Sequence, residues 1–227
     1  MNEMENNNVV RVSGEVTKEP TFSHEIFGEG FYEFSIKIKR LSDIYDIIPV
    51  TISERLMQDY PIKVGDRVHF LGQYRSYNKL VNNKSKLLLT IFVREFLEDT
   101  MEDENEIEIT GYVCKEPIYR TTPFNREICD VLLAVNRSYN KSDYIPCIAW
   151  GRNARFVKNF KIGDKINVSG RIQSRTYQKR LDDGEILTKT AFEVSLNKVL
   201  QENENNKREE EEYISSPHMG DLVNYYG

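Results

Sequence analysis

The stretch DYIPCIAWGRNARFVKNFKIGDKINVSGRIQSRTY, residues 143–177, changes its apolar period twice, and that change decides the fold. Tyr144, Pro146, Ile148 and Trp150 recur at a period of two, the mark of a strand with two different faces. Phe156, Val157 and Phe160 follow at helical spacing. Gly163-Asp164 then reads as a turn, and Ile166, Val168 and Ile172 return to period two. Working outward, Val131, Leu133 and Val135 alternate upstream, and Asp183-Gly184 is a hairpin signal before TKTAFEVSLNKVL. Three strands, a helix after the third and a closing hairpin make the order of a five-stranded OB barrel. Pattern alone also admits a small β-sandwich.

The same grammar occurs twice. VRVSGEVTKEPTF from Val10 reappears as IEITGYVCKEPIY from Ile107, with Gly14, Lys18, Glu19 and Pro20 matching Gly111, Lys115, Glu116 and Pro117 at an offset of 97. Arg40 and Pro49 match Arg137 and Pro146 at that offset, while Gly65, Asp66 and Gly72 match Gly163, Asp164 and Gly170 at 98. Leu56, Met57 and Tyr60 supply a helix in the first copy. The expected architecture is therefore all-β: two tandem five-stranded OB barrels, each with one short helix. The expected bounds are a flexible N-terminus over 1–8, a first barrel over 9–98, an acidic linker over 99–105, a second barrel over 106–200 and a disordered acidic tail over 201–227.

Charge is divided unevenly among these parts. The net of −5 splits into −1 for residues 1–98, −4 for 99–105, +5 for 106–200 and −5 for 201–227. Salt screens charges beyond roughly 8 to 10 Å, so a basic domain attracts phosphates even within an acidic molecule. No N-terminal signal pattern is present, and the longest apolar run, LLLTIFV from Leu87 to Val93, is too short for a bilayer, which predicts a cytoplasmic protein without a membrane partner. Three cysteines, Cys114, Cys129 and Cys147, lack Cys-x-x-Cys spacing and read as reduced, mostly buried thiols. No Ser-His-Asp, Cys-His, phosphate-loop or metal-ligand constellation is visible, so neither an enzyme nor a cofactor is expected.

The second copy has a face suited to single-stranded nucleic acid. Tyr144 and Trp150 share strand parity about 20 Å apart. In the next strand Arg171, Gln173, Arg175 and Tyr177 share the parity opposite to Ile166, Val168 and Ile172, which fill the barrel. Bases stack on aromatics with any sequence while cations track phosphates. Arg137, Arg152 and Lys179, with Lys141, Arg155 and Arg180, lie at strand ends or in loops where they extend that track. Taken singly, a strand tyrosine or lone tryptophan is usually a core residue and a strand arginine is usually solvated. Their interleaving on a domain of +5 favours binding.

On ITGYVCKEPIYR, DYIPCIAWGR and INVSGRIQSRTY the second copy resembles the bacterial single-stranded DNA-binding protein family. That family stacks bases on four aromatics, and the resemblance puts Tyr139, Tyr144, Trp150 and Tyr177 at those positions. It implies single-stranded DNA as partner, sequence-independent binding in replication, recombination or repair, and a nucleoid-associated location. Family members assemble four barrels, which here implies a homodimer. Their acidic tails end in a Pro-Phe-type tip that recruits replication and repair proteins. This tail has Glu209 to Glu212 but ends Tyr225-Tyr226-Gly227, so recruitment through the tip is an open point.

In the first copy the four aromatic positions fall on Ser42, Ile47, Ser53 and Lys79. Tyr45, Tyr74, Tyr77 and Arg75 lie nearby, but a structural or pairing role is the expectation for this copy. The competing reading of the whole chain is a protein-interaction scaffold or primosome-type accessory factor, with weak or RNA-directed binding.

Overall fold

The computed structural model describes residues 7–40, 42–81, 84–98, 101–180 and 186–201. The first copy runs β1 (Asn8–Ile26), β2 (Glu29–Lys39), β3 (Tyr45–Ser53), α1 (Glu54–Asp59), β4 (Arg67–Val81) and β5 (Lys84–Phe96). The second runs β6 (Glu104–Val113), β7 (Ile118–Thr121), β8 (Glu127–Arg137), β9 (Lys141–Trp150), α2 (Arg152–Val157), β10 (Lys165–Arg180) and β11 (Ile186–Gln201). In the first copy β2-β3-β5-β4-β1 are neighbours and β1 returns to β2; in the second β6-β10-β11-β9-β8 are neighbours and β8 returns to β6. Each copy is thus a closed five-stranded OB barrel, as the repeated pattern predicts, and among the described residues the open edges of a sandwich are absent. The short β7 pairs with β8 where the first copy has one continuous β1.

Closure explains two of the repeated motifs. Gly65 and Gly163 hold φ of +90° and +97°, a conformation that costs glycine little, and Asp66 and Asp164 cap those turns by accepting from Lys63 and Lys161 backbone N–H. A Cβ on Gly72 or Gly170 would stand 2.6 Å or 2.2 Å from the carbonyl oxygen of Phe92 or Ser195, so only glycine lets these strands cross so closely. Inward residues fill each interior: Val12, Phe34, Ile36, Ile48 and Val50 in the first, Ile109, Leu133, Ile145, Ile166 and Ile172 in the second, all essentially without solvent contact. Burial also pushes the thiols of Cys129, to about 11, and of Cys147 upward, and all three cysteines are free.

The barrels join through an antiparallel β1–β6 ladder in which Val10 pairs with its own repeat-mate Ile107. A pseudo-two-fold axis therefore passes between these two residues, and contacts come in matched pairs. Asn8 bonds both the N–H and the C=O of Tyr74, and Asn105 does the same to Ile172. Asp46 of β3 accepts from Ser174 N–H of β10 at 2.6 Å, while Asp143 of β9 accepts from Ser76 N–H of β4 at 2.8 Å. The asparagines satisfy backbone groups of their own barrel, and the aspartates satisfy those of the other.

Four residues, Asn8, Glu104, Asn105 and Gln201, fall on the other side of a bound expected from sequence. Asn8 is buried in β1, and Glu104 and Asn105 belong to β6, because the junction reuses them as ladder and cap. Gln201 ends β11; the rest of the expected tail, 202–227, lies outside the described residues, as do residues 1–6 and the Asp183-Gly184 turn. Among the described residues no helix is long and apolar enough to cross a membrane, and no group of three His, Cys, Asp or Glu could hold a metal.

Candidate nucleic-acid interface

In the second barrel β9 runs parallel to β11 with Ile148 opposite Ser195, and β11 runs antiparallel to β10 with Ser195 opposite Arg171. These registers set a cross-row at the end of β9. The Trp150 indole, 37% exposed, donates Nε1–H to Ser195 Oγ at 3.1 Å, with Arg171 on the strand beyond. Further along β10 the Arg175 guanidinium lies 5.6 Å from the centre of the half-exposed Tyr177 ring, and its Nε is 3.7 Å from Glu193. An aromatic and a cation thus recur twice across three strands.

Tyr144 lies half-exposed near the other end of β9, where its N–H donates to Ser76 Oγ of the first barrel at 2.7 Å. Tyr139, at the tip of the β8–β9 hairpin, is 93% exposed and left-handed with φ of +63°. A tyrosine in this conformation carries local strain that Asn or Gly would relieve, a pattern that recurs at binding sites. Arg137 starts the same hairpin; its guanidinium is 3.5 Å from Asp143 and faces the first barrel. Arg152 opens α2 and is exposed, whereas Arg155 is tied to Glu127, which also accepts from Tyr119 Oη. The backbone of Lys179 pairs with Leu187, and its side chain lies outside the description.

Strand parity proves incomplete at two places. Ile148 has the parity of Tyr144 and Trp150 yet is buried, so their row is interrupted by an apolar step. Gln173 has the parity of Arg171 and Arg175 but is buried because its amide donates to Glu193 at 2.9 Å. Arg171 turns toward the junction, lining a cavity of about 1050 Å3 with Arg11, Arg40 and Glu104, and its Nε is buried with no hydrogen-bond partner among the described residues. Ser195 and Glu193, which hold Trp150 and Arg175, were not singled out by sequence. The signal existed in AFEVSLN, where Glu193, Ser195 and Asn197 share one outward parity.

The junction carboxylates differ in charge environment. Burial raises Asp46, but Arg40, donating twice at 2.7 and 2.6 Å, and Ser174 outweigh it and hold the group below its ordinary value. Burial raises Asp143 above its ordinary value, because Ser76 and the more distant Arg137 do not compensate.

At the four matching positions of the first barrel there is no ring. Ser42 and Ile47 are exposed, Lys79 has no described side chain, and Ser53 is buried as the N-cap of α1, accepting from Leu56 N–H. Of the neighbouring tyrosines, Tyr74 is wholly buried in the core, while Tyr45 and Tyr77 are partly exposed.

Two fused OB barrels, the second with a mixed aromatic and cationic face, define the class of fold. The sequence matches the Single-strand binding protein family over residues 104–201. It is 31% identical over 109 residues to single-stranded DNA-binding protein 2 of Listeria monocytogenes, covering 45% of this chain and 67% of that one. It is 35% identical over 83 residues to single-stranded DNA-binding protein A of Bacillus subtilis, covering 34% of this chain and 48% of that one. The chain belongs to the single-strand binding protein family. It spans about half the length of the first curated relatives that it matches. The fold is shared with the crystal structure of wild-type single-stranded DNA-binding protein from Thermus aquaticus, at a TM-score of 0.66 and 18% identity over 86% of this chain and 93% of that one. A deletion mutant of that protein gives 0.68 and 17%, over 87% and 95%.

Proposed function

We propose that the protein binds single-stranded DNA without regard to sequence, chiefly through its second barrel. Bases stack on Trp150, Tyr144, Tyr177 and Tyr139, and phosphates follow Arg137, Arg152, Arg171, Arg175 and Lys179. The observation that carries this reading is Trp150 held by Ser195 beside Arg175 over Tyr177, which sets two rings and a cation on one barrel face. Each stacked base contributes about 1 to 3 kcal/mol, and no base is preferred because every base has a π-face. The domain charge of +5 supplies attraction that salt weakens.

Binding, rather than turnover, is the activity, and its uses are protection of single strands in replication, recombination or repair in the cytoplasm, at the nucleoid. A homodimer brings four barrels to one DNA strand, and the acidic tail serves partner proteins. The test is direct because Trp150 is the only tryptophan. Oligo-dT quenches its fluorescence, with log affinity falling against log salt by about 0.7 per phosphate contact. Duplex DNA gives little quenching, and oligo-U measures the RNA component. Absence of quenching by oligo-dT at low salt overturns the proposal.

A further inference from the structure

The first barrel has no ring at Ser53 but carries rings on both strands beside it. Ser53 pairs with Phe31 of β2, and Thr51 pairs with Phe92 of β5. In the second barrel the same registers are Trp150 with Ile128 and Ile148 with Ser195, since Thr51 and Ile148 are repeat-mates. Phe92 therefore holds the place of Ser195, the residue on which Trp150 rests, and Phe31 holds that of the buried Ile128. The first barrel's rings stand one strand to either side of the position that Trp150 occupies in the second.

These rings build a groove. Phe31 and Phe92 are half-buried with centroids 5.7 Å apart, His24 stacks on Phe31 at 5.1 Å and 16°, and the Arg75 guanidinium sits 3.7 Å from the centre of Phe92. Together with Tyr77 they line a cavity of about 450 Å3, the size of a site for one or two small planar groups. Arg137 of the second barrel closes one side, and Ser76, which holds Tyr144 N–H, forms part of the floor. The backbone of Tyr144 is therefore one hydrogen bond from a residue that lines this groove.

The charges favour an anion beside the rings. Arg75 bonds Gln73 through Nη2, while its Nε is buried with no hydrogen-bond partner among the described residues. Burial and, next, Arg137 lower its pKa to about 10, so two guanidiniums share the site with incomplete neutralisation by Asp143. Glu33 is the opposing carboxylate; Ser23 and Tyr77 hydroxyls donate to it at 2.7 and 3.0 Å.

Building on the proposed DNA binding, we infer that this groove is a second single-stranded DNA site, taking a base against Phe92 and Phe31 and a phosphate between Arg75 and Arg137. The experiment uses the full chain with two oligo-dT lengths, about 8 nucleotides for one barrel and about 30 for both. Phe92→Ser, which imposes the second barrel's residue, leaves quenching of Trp150 by the short oligonucleotide unchanged and weakens the long one by about tenfold. As a check independent of folding losses, Trp150→Phe with Phe92→Trp moves the fluorescent reporter into the groove, where the long oligonucleotide quenches it. Long-oligonucleotide affinity unaffected by Phe92→Ser, or indole fluorescence that the long oligonucleotide leaves unquenched in the double variant, overturns the inference. Absence of short-oligonucleotide quenching in the unaltered protein instead overturns the second-barrel reading.

Discussion

At the end of the third strand the two barrels use one position for different purposes. β9 ends in Trp150, and α2 starts a residue later behind Gly151 with no side-chain cap; β3 ends in Ser53, whose hydroxyl caps α1 directly. A side chain folded back onto a helix N-terminus cannot also present a ring to solvent. The scaffold of strands, turns and glycines is present in both copies, while this position carries a half-exposed ring in one and a helix cap in the other. The junction repeats the lesson, because symmetric Asp46 and Asp143 occupy matching places with unequal cationic support.

The largest effect is expected from removing the platforms that only the second barrel has. Trp150→Ala with Tyr177→Ala lowers affinity for short oligo-dT by about 4 kcal/mol at about 2 per stacked base, a loss of several hundredfold or more in titrations followed by anisotropy. Ser42→Ala with Ile47→Ala at the matching first-barrel face leaves that affinity unchanged.

Next comes the junction. Asp46→Asn leaves Arg40 with a weakened partner inside the interface and costs about 3 kcal/mol in urea unfolding. The lowered pKa of Asp46 means that its contribution is present above its unfolded value, near pH 4, and is lost as pH falls through the folded one. The Asn variant therefore loses less stability than the parent across that acid range.

Removing the cap is smaller: Ser53→Ala costs about 1 kcal/mol, read as a shift in the urea midpoint at constant slope. Smallest is Asp143→Asn, under about 0.5 kcal/mol at neutral pH, since an amide oxygen still accepts from Ser76 N–H. Its raised pKa gives the opposite sign to Asp46: its stabilising contribution is present below the unfolded value and lost as pH rises through the folded one. The stability gap between this variant and the parent consequently widens toward acid.

The repeat, both closed barrels and their short helices were legible in the one-dimensional pattern, because periods of two and 3.6 and turn glycines are local physics. So was the outward parity of Trp150, Tyr144, Arg175 and Tyr177. Parity names a face without naming its cover, so the burial of Ile148 and Gln173 and the core position of Tyr74 followed only from what packs against them. The boundaries at Asn8 and Glu104 shifted for the same reason, since their neighbours are supplied by the other copy.

By itself, then, the sequence determined that a barrel was built twice and that only its second copy kept rings at the four matching positions. Tertiary structure decided that β1 joins β6 about Val10 and Ile107, that the two aspartates cross between barrels, and that Phe31, Phe92 and Arg75 from three separate strands meet in one groove. Residues 31, 75 and 92 are far apart in the chain, and no local period encodes which strands a barrel brings side by side.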